Sequence, residues 1–322
     1  MCAAMPAARP IFLNDDTPDP PDAVPCALVI GNFDGVHRGH QSVLEEAVLY
    51  SRRDGVELSP RALTFDPHPA QVVGSGSPPL LTSLDDRVEL MARLGIERAY
   101  VRQFDAAFAA WPPERFATRL VARALQAKVV FAGENLRFGA RRTGDLAMLR
   151  ALGAKLGFEV RVHAVAGDAR GPFSSTRARD AIAAGDLDEV RRVLGRPHSV
   201  TGSVAHGDAR GRALGFPTAN LEGIVEILPP DGVYAVVAEG RTDDGSYGPL
   251  ARGVTNIGVR PTIGRGHRTV ETHLLEFDGD LYGRRIRLSF MAHLRAEQKF
   301  ASIDELRAQI GRDAARARAV LP

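Results

Sequence analysis

The sequence predicts an α/β protein in two parts: a parallel sheet covered by helices, then a small antiparallel β-barrel with one terminal helix. Three observations predict it. From Ala27 to about Leu194, short apolar runs alternate with helical patterns, as in strand–helix–strand units. Beyond Arg196-Pro197, strands are set apart by Gly, Pro and Asp turns and only one clear helix remains, the pattern of a small barrel. At 322 residues, the chain is long enough for two cores. The boundary is set near Gly185, giving domains 1–185 and 186–322.

A Pro- and Asp-rich lead-in, Asp15 to Pro25, precedes a buried strand at Ala27–Ile30. A glycine turn and a helix over about His40–Arg53 follow, then a strand at Ala62–Phe65. The next helix, Ser83–Leu94, aligns Leu84, Val88 and Met91, carries Asp85 and Asp86 in its first turn and closes at Gly95. A strand at Ala99–Val101, a helix over Pro113–Leu125 and a strand at Lys128–Phe131 come next. A helix bearing Leu146, Leu149, Leu152 and Leu156 leads to a strand at Phe158–Val162. Two short helices, Thr176–Ala184 and Leu187–Leu194, end this half. In the second half, Ser199–Val204, Gly232–Ala238, Gly253–Asn256, Thr269–Phe277 and Arg285–Phe290 read as strands. The last helix opens on Ser302-x-x-Glu305, a capping box, and is expected to turn Leu306 and Ile310 inward.

Composition removes several function classes. The 41 basic and 39 acidic residues give a net charge of +2, with no electrostatic footprint for nucleic acid. The run Arg312 to Arg318 reads as the solvated face of a helix. Two cysteines, Cys2 and Cys26, give no disulfide framework and no zinc-ligand spacing. Met1 to Asp16 lacks the apolar core of a signal peptide, and no stretch approaches the ~20 apolar residues needed to span a bilayer. The expected setting is cytoplasmic, with small-molecule substrates and no nucleic-acid or membrane partner.

One constellation lies where Gly31-Asn-Phe33-Asp-Gly-Val-His37-Arg-Gly-His40 follows a strand and opens a helix. A helix N-terminus offers unpaired N–H groups and the positive end of its dipole to phosphate. Two histidines three apart share its first turn and can both donate to phosphoryl oxygens. A dinucleotide-binding turn or simple helix capping is the alternative, although the glycine spacing fits neither G-x-G-x-x-G nor a Walker loop. A second helix start, Phe173-Ser-Ser175-Thr176-Arg177-Ala-Arg179, gathers hydroxyls and guanidiniums suited to polyphosphate; ordinary Ser/Thr capping is its alternative.

The other constellation runs from Thr201 to Asn220. Gly207, Gly211 and Gly215 recur at intervals of four, allowing backbone amides to wrap phosphates. Thr218 and Asn220, two apart, share one face of an extended chain and supply neutral oxygens suited to Mg²⁺. Glu271 and His273 share a face of a predicted strand, and a carboxylate there can take the proton of an attacking hydroxyl.

These segments resemble the prokaryotic bifunctional riboflavin kinase/FAD synthetase family. Gly31–His40 and Ser174-Ser175-Thr176-x-x-Arg179 look like its Rossmann-like nucleotidyltransferase module, as do Thr64-Phe-Asp-Pro-His-Pro69 and Gly133-Glu-Asn135-Leu-Arg-Phe-Gly139. Gly207–Asn220, Leu228–Tyr234, Asn256–Thr262, Val270–His273, Leu281–Gly283 and Leu294–Phe300 resemble its riboflavin kinase-like barrel. The resemblance implies phosphorylation of riboflavin to FMN, then adenylyl transfer to FMN giving FAD, with ATP and Mg²⁺. It implies charge stabilisation by His37 and His40, with Gly31 and Phe33 in the binding turn. Ser175, Thr176 and Arg179 then hold the leaving phosphates, Asn135 contacts the bound substrates, and Asp66–Pro69 borders the flavin. In the barrel it implies Mg²⁺ and ATP at Thr218 and Asn220, a base at Glu271 and a flavin-side role for Arg295. Leu136 stands where the family usually has Phe, Phe173 where many members have Ile, and Glu276 in place of the usual Asp. Another adenylyl- or cytidylyltransferase, a non-catalytic flavin-binding regulator and an RNA-binding barrel are the competing readings.

Overall fold

The computed structural model describes residues 10–14, 24–74, 76–206, 215–259 and 268–321. The chain packs as two compact units. One comprises the described residues up to Pro78 together with Leu84–Ser174; the other comprises Pro79–Ser83 and the described residues from Ser175 onward.

In chain order the first unit contains β1 (Ile11–Leu13), β2 (Cys26–Ile30), α1 (Arg38–Ser51), β3 (Ser59–Asp66), α2 (Pro69–Val73), α3 (Leu84–Arg93) and β4 (Arg98–Gln103). It continues with α4 (Ala106–Ala109), α5 (Pro113–Arg115) running into a π-helix (Phe116–Ala124), β5 (Ala127–Gly133), α6 (Leu146–Leu156) and β6 (Glu159–His163). A small hairpin, β7 (Gly167–Asp168) with β8 (Gly171–Pro172), ends it. Six strands form one sheet in the order β1-β4-β3-β2-β5-β6, with every neighbouring pair parallel. All five residues of β2 are buried, because helices cover both sheet faces and the strand must be apolar throughout. Leu28 and Ile30 pack with Phe108, Trp111, Phe116 and Leu149 on one face. Ala27 and Val29 pack with Val43, Leu44 and Val48 of α1 and Val88 and Met91 of α3 on the other. The expected strands and helices are all present; β1, which lies ahead of the lead-in and pairs with β4, is an addition, as are the short α2, α4 and the β7–β8 hairpin.

The second unit contains α7 (Ser175–Ala184), α8 (Leu187–Leu194), β9 (Ser199–Ala205), β10 (Ala219–Glu222), β11 (Gly232–Arg241), β12 (Tyr247–Val259), β13 (Arg268–Leu274), β14 (Arg285–Arg295) and α9 (Ile303–Val320). The strands close into a barrel in the order β10-β13-β12-β11-β14-β9, and every pair is antiparallel. Val200, Leu221, Tyr234, Val236, Ile257, Val270, Leu288 and Phe290 fill its interior. Buried Thr255 and Thr272 satisfy each other through a 2.8 Å hydroxyl pair. Ser302 caps α9 by accepting from the Glu305 amide at 3.2 Å. The buried face of α9 is not led by Leu306 and Ile310, which are half-buried. Ala314 and Ala317 pack instead against Val233, Val254 and Leu294, where small side chains let the helix lie close to the barrel wall. Pro79–Ser83 is strapped to this unit: Leu80 O accepts from Ile227 N at 2.7 Å, and the Ser83 amide donates to buried Glu226 at 3.3 Å. Among the described residues no helix is long and apolar enough to cross a membrane.

Candidate functional sites

In the first unit, β2 lies between β3 and β5. The chain runs from β2 outward on one side and returns with β5 on the other, so the turn leaving β2 opens at the reversal of strand order. Ligands of open α/β sheets bind at such a point, beyond the carboxyl ends of the strands. That turn is tightly wound: Phe33, Gly35 and Val36 all have positive φ (51°, 82° and 37°), and Phe33 and Val36 are buried. A left-handed backbone is costly for bulky residues and persists only where surroundings over-determine it. Here the Thr64 hydroxyl donates to Asn32 O at 3.0 Å, and the Gln41 amide donates to Val36 O at 2.8 Å. A Cβ on Gly31 would lie 3.1 Å from the Phe33 ring, so glycine there lets the ring fold back over the strand end.

His37 is the N-cap of α1, and its Nδ1 accepts from the His40 amide at 3.3 Å. With Nδ1 accepting, the neutral ring carries its proton on Nε2, the tautomer in which that nitrogen is a donor. The His37 and His40 rings stack at 3.6 Å between centroids, and the Phe33 ring meets His40 edge-on at 5.2 Å. Burial pushes the His40 pKa well below the ordinary 6.5, with the His37 and Arg87 charges adding in the same direction. His40 Nδ1 is buried and has no hydrogen-bond partner among the described residues. No acidic side chain occupies the first turn of α1. The result is an anion-seeking helix end carrying two imidazoles, one of them held neutral.

Sequence reasoning missed Arg87. It is 1% exposed and donates to Thr64 Oγ1 at 3.2 Å and Phe65 O at 3.1 Å, close to the Asp34 and Asp66 charges. Its guanidinium fixes the ends of β3 and the β2 turn together, yet Asp-Asp-Arg on an amphipathic helix reads as a solvated face. Asn135 sits exposed in the turn after β5, at the same edge of the sheet. His68 caps α2 by accepting from Ala70 N at 3.2 Å. Leu136 packs at the margin of the aromatic core. Phe173 is buried beneath the Arg38 guanidinium, 4.9 Å from its ring. A Cβ on Gly39 would meet both the His37 ring and Phe173 O at 3.1 Å, so glycine permits that close approach.

In the second unit, Ser175 opens α7, with exposed Thr176 following and no acid in the first turn. Arg179 Nε donates to Pro79 O at 2.7 Å. Arg177 pairs with Glu189 of α8 at 2.7 Å.

The barrel brings Thr218, Asn220 and Glu271 together. Asn220 stands directly opposite Glu271 in the β10–β13 ladder, and Asn256 of β12 stands opposite Glu271 on its other side. Val270, Thr272 and Leu274 point into the barrel, so Glu271 and His273 face outward, half-exposed. A cleft of about 670 Å³ has Thr218, Ala219, Thr272, Leu274, Phe277 and Tyr282 among its walls, whereas Asn220, Glu271 and His273 do not line it. That volume suits a ligand of nucleotide size. His206 stacks on Tyr282 at 3.8 Å. Gly215 adopts φ +83°, and Gly207 and Gly211 lie outside the described residues. Among the described residues no group of three or more His, Cys, Asp or Glu could hold a metal. Thr218 and Asn220 are hard neutral oxygen donors, a set that fits Mg²⁺ whose charge is met by nucleotide phosphates.

Arg295 is engaged by Asp313 of α9, with Nη2 to Oδ2 at 2.9 Å. Glu276 has φ 56°, a region in which Asp is enriched over Glu. Its carboxylate is held by Arg318 at 3.0 Å, and Arg252 lies 3.7 Å away.

Comparison with known proteins matches residues 194–321 to the riboflavin kinase family and residues 19–177 to the FAD synthetase family. The bifunctional riboflavin kinase/FMN adenylyltransferase of Escherichia coli K12 is 38% identical over 294 residues, spanning 91% of this chain and 92% of its own. The Bacillus subtilis strain 168 protein of the same name is 35% identical, spanning 89% of each chain. A crystal structure named a macrolide-efflux protein, from Streptococcus pneumoniae, superposes with a TM-score of 0.80 at 29% identity over 97% of this chain and 99% of that one.

Proposed function

The chain belongs to the bifunctional riboflavin kinase/FMN adenylyltransferase family, and we propose that it carries the two reactions on two separate sets of residues. It phosphorylates riboflavin to FMN and adenylylates FMN to FAD, using ATP in both steps; Mg²⁺ is the usual metal of such enzymes. The single observation that carries the residue assignment is that the paired imidazoles and the Thr218–Asn220–Glu271 set belong to different compact units.

In adenylyl transfer, a phosphate oxygen of FMN attacks the α-phosphorus of ATP and the bond to pyrophosphate breaks. Negative charge grows on the transferring group. His37, donating through Nε2, and His40 stabilise it, an electrostatic role that needs no covalent intermediate. The depressed pKa of His40 supports a neutral hydrogen-bond donor there rather than a second cation. Gly31 and Phe33 shape the binding turn, and Asn135 and Asp66–Pro69 contact the flavin substrate.

In the kinase reaction, Glu271 accepts the proton of the ribityl 5′-hydroxyl while its oxygen attacks the γ-phosphorus of ATP and ADP leaves. Thr218 and Asn220 hold Mg²⁺, which neutralises phosphate charge when bound. The segment bearing Gly207, Gly211 and Gly215 is assigned to the nucleotide phosphates, and Arg295, steadied by Asp313, borders the flavin side. The cytoplasm is the proposed setting. Chromatography of riboflavin incubated with enzyme, ATP and Mg²⁺ tests the scheme: FMN rises first and FAD follows. Accumulation of neither product, with ATP intact, refutes it.

A further inference from the structure

We propose that His273 is a positioning residue for the kinase nucleotide site, acting through the main chain of Pro217 to set Thr218 against the cleft. This rests on the assignment of Thr218 and Asn220 to the nucleotide and its metal. His273 Nδ1 lies 2.9 Å from Pro217 O; a carbonyl can only accept, so Nδ1 carries the proton and donates. The Phe216 ring stands edge-on to the imidazole, 5.3 Å away at 89°. Two consecutive residues ahead of Thr218 therefore rest on this one side chain.

The register explains why such a hold is needed. The β10–β13 ladder begins at Ala219 opposite Thr272, so Thr218 stands one residue before the first paired position. Pro217 has no N–H to anchor, which leaves its carbonyl as that residue's backbone handle. Continuing the register by one residue sets Thr218 opposite His273, and Thr218 is already part of the cleft wall. His273 also shares the outward face of β13 with Glu271, two residues away. One strand thus presents the proton acceptor and, beside it, the clamp on the nucleotide-binding segment.

The test is steady-state riboflavin phosphorylation by the full chain, varying MgATP and riboflavin separately, for His273→Ala, His273→Asn and Thr218→Ala. Losing one neutral hydrogen bond predicts a rise of about tenfold in the MgATP KM for His273→Ala. The riboflavin KM stays within about twofold and FMN adenylylation is unchanged. Asn can offer an amide nitrogen where the ring has Nδ1, so His273→Asn recovers most of the MgATP KM; a general packing role would give no such recovery. An unchanged MgATP KM in His273→Ala overturns the proposal, as does an equal rise for both substrates. A fall in kcat alone overturns it too, by moving His273 into the chemical step. If Thr218→Ala raises the MgATP KM while His273→Ala does not, only this inference fails. If Thr218→Ala leaves that KM unchanged, the nucleotide assignment beneath it fails as well.

Discussion

His37 performs two tasks that substitution can separate. As N-cap, its Nδ1 satisfies the His40 amide; as the proposed phosphate donor, it presents Nε2–H. His37→Ala loses both. Removing a capping acceptor costs about 1 kcal/mol, a lowering of the melting temperature by about 2–4 °C in a unit of this size. Removing one donor from a charge-stabilising site costs roughly 10²–10³ in kcat. His37→Asn keeps a good N-cap oxygen but no imidazole, so it should melt within about 1 °C of wild type. It should lose adenylyl transfer as severely as the Ala variant. Riboflavin phosphorylation should be unaffected in both. The assays are calorimetric melting and single-substrate kinetics with FMN, then riboflavin. If His37→Asn restored FMN adenylylation to within a few fold of wild type, the ring would be serving α1 rather than the transferring phosphate, and the electrostatic argument would be wrong.

Glu271→Gln should cut riboflavin phosphorylation by roughly 10²–10⁴ while FMN adenylylation continues; loss of both activities in a folded protein would show that the sites are not independent. Asp313 is 4% exposed and accepts from Arg295 at 2.9 Å and Gln309 at 2.8 Å. Breaking a buried pair costs about 3–5 kcal/mol, and partial exposure of Arg295 argues for the lower end, about 3 kcal/mol by urea denaturation of Asp313→Ala. A loss below about 1 kcal/mol would place that pair among solvent-screened surface pairs. Because the folded pKa of His40 is depressed below the ordinary 6.5, its contribution to stability is complete above that value. It is lost as pH falls from there through the lower folded value, since the unfolded chain then binds the proton more readily. Denaturation midpoints between pH 8 and 5 should therefore fall more steeply for wild type than for His40→Gln; parallel curves would contradict the neutral, buried assignment.

The sequence by itself determined much of this protein. Periodicity located β2 through β6 and the longer helices between them, though not the short α2 and α4, because helices on both faces force parallel strands to be continuously apolar. The change of period after Arg196 located the barrel. The pairs His37 and His40, Thr218 and Asn220, and Glu271 and His273 could be singled out as candidates because their spacing sets a shared face. Only the tertiary structure decided the rest. Leu306 and Ile310 of α9 looked like the buried face, but alanines pack against the barrel, since closeness of approach depends on the partner surface. Arg87 carried no signal in the sequence, and only its buried contacts with Thr64 and Phe65 reveal it. The pairing of Asn220 with Glu271, and the hold of His273 on Pro217, join residues 51 and 56 positions apart. Local pattern says which face a residue shares, but strand register, fixed by the closing of the whole barrel, decides what stands opposite it.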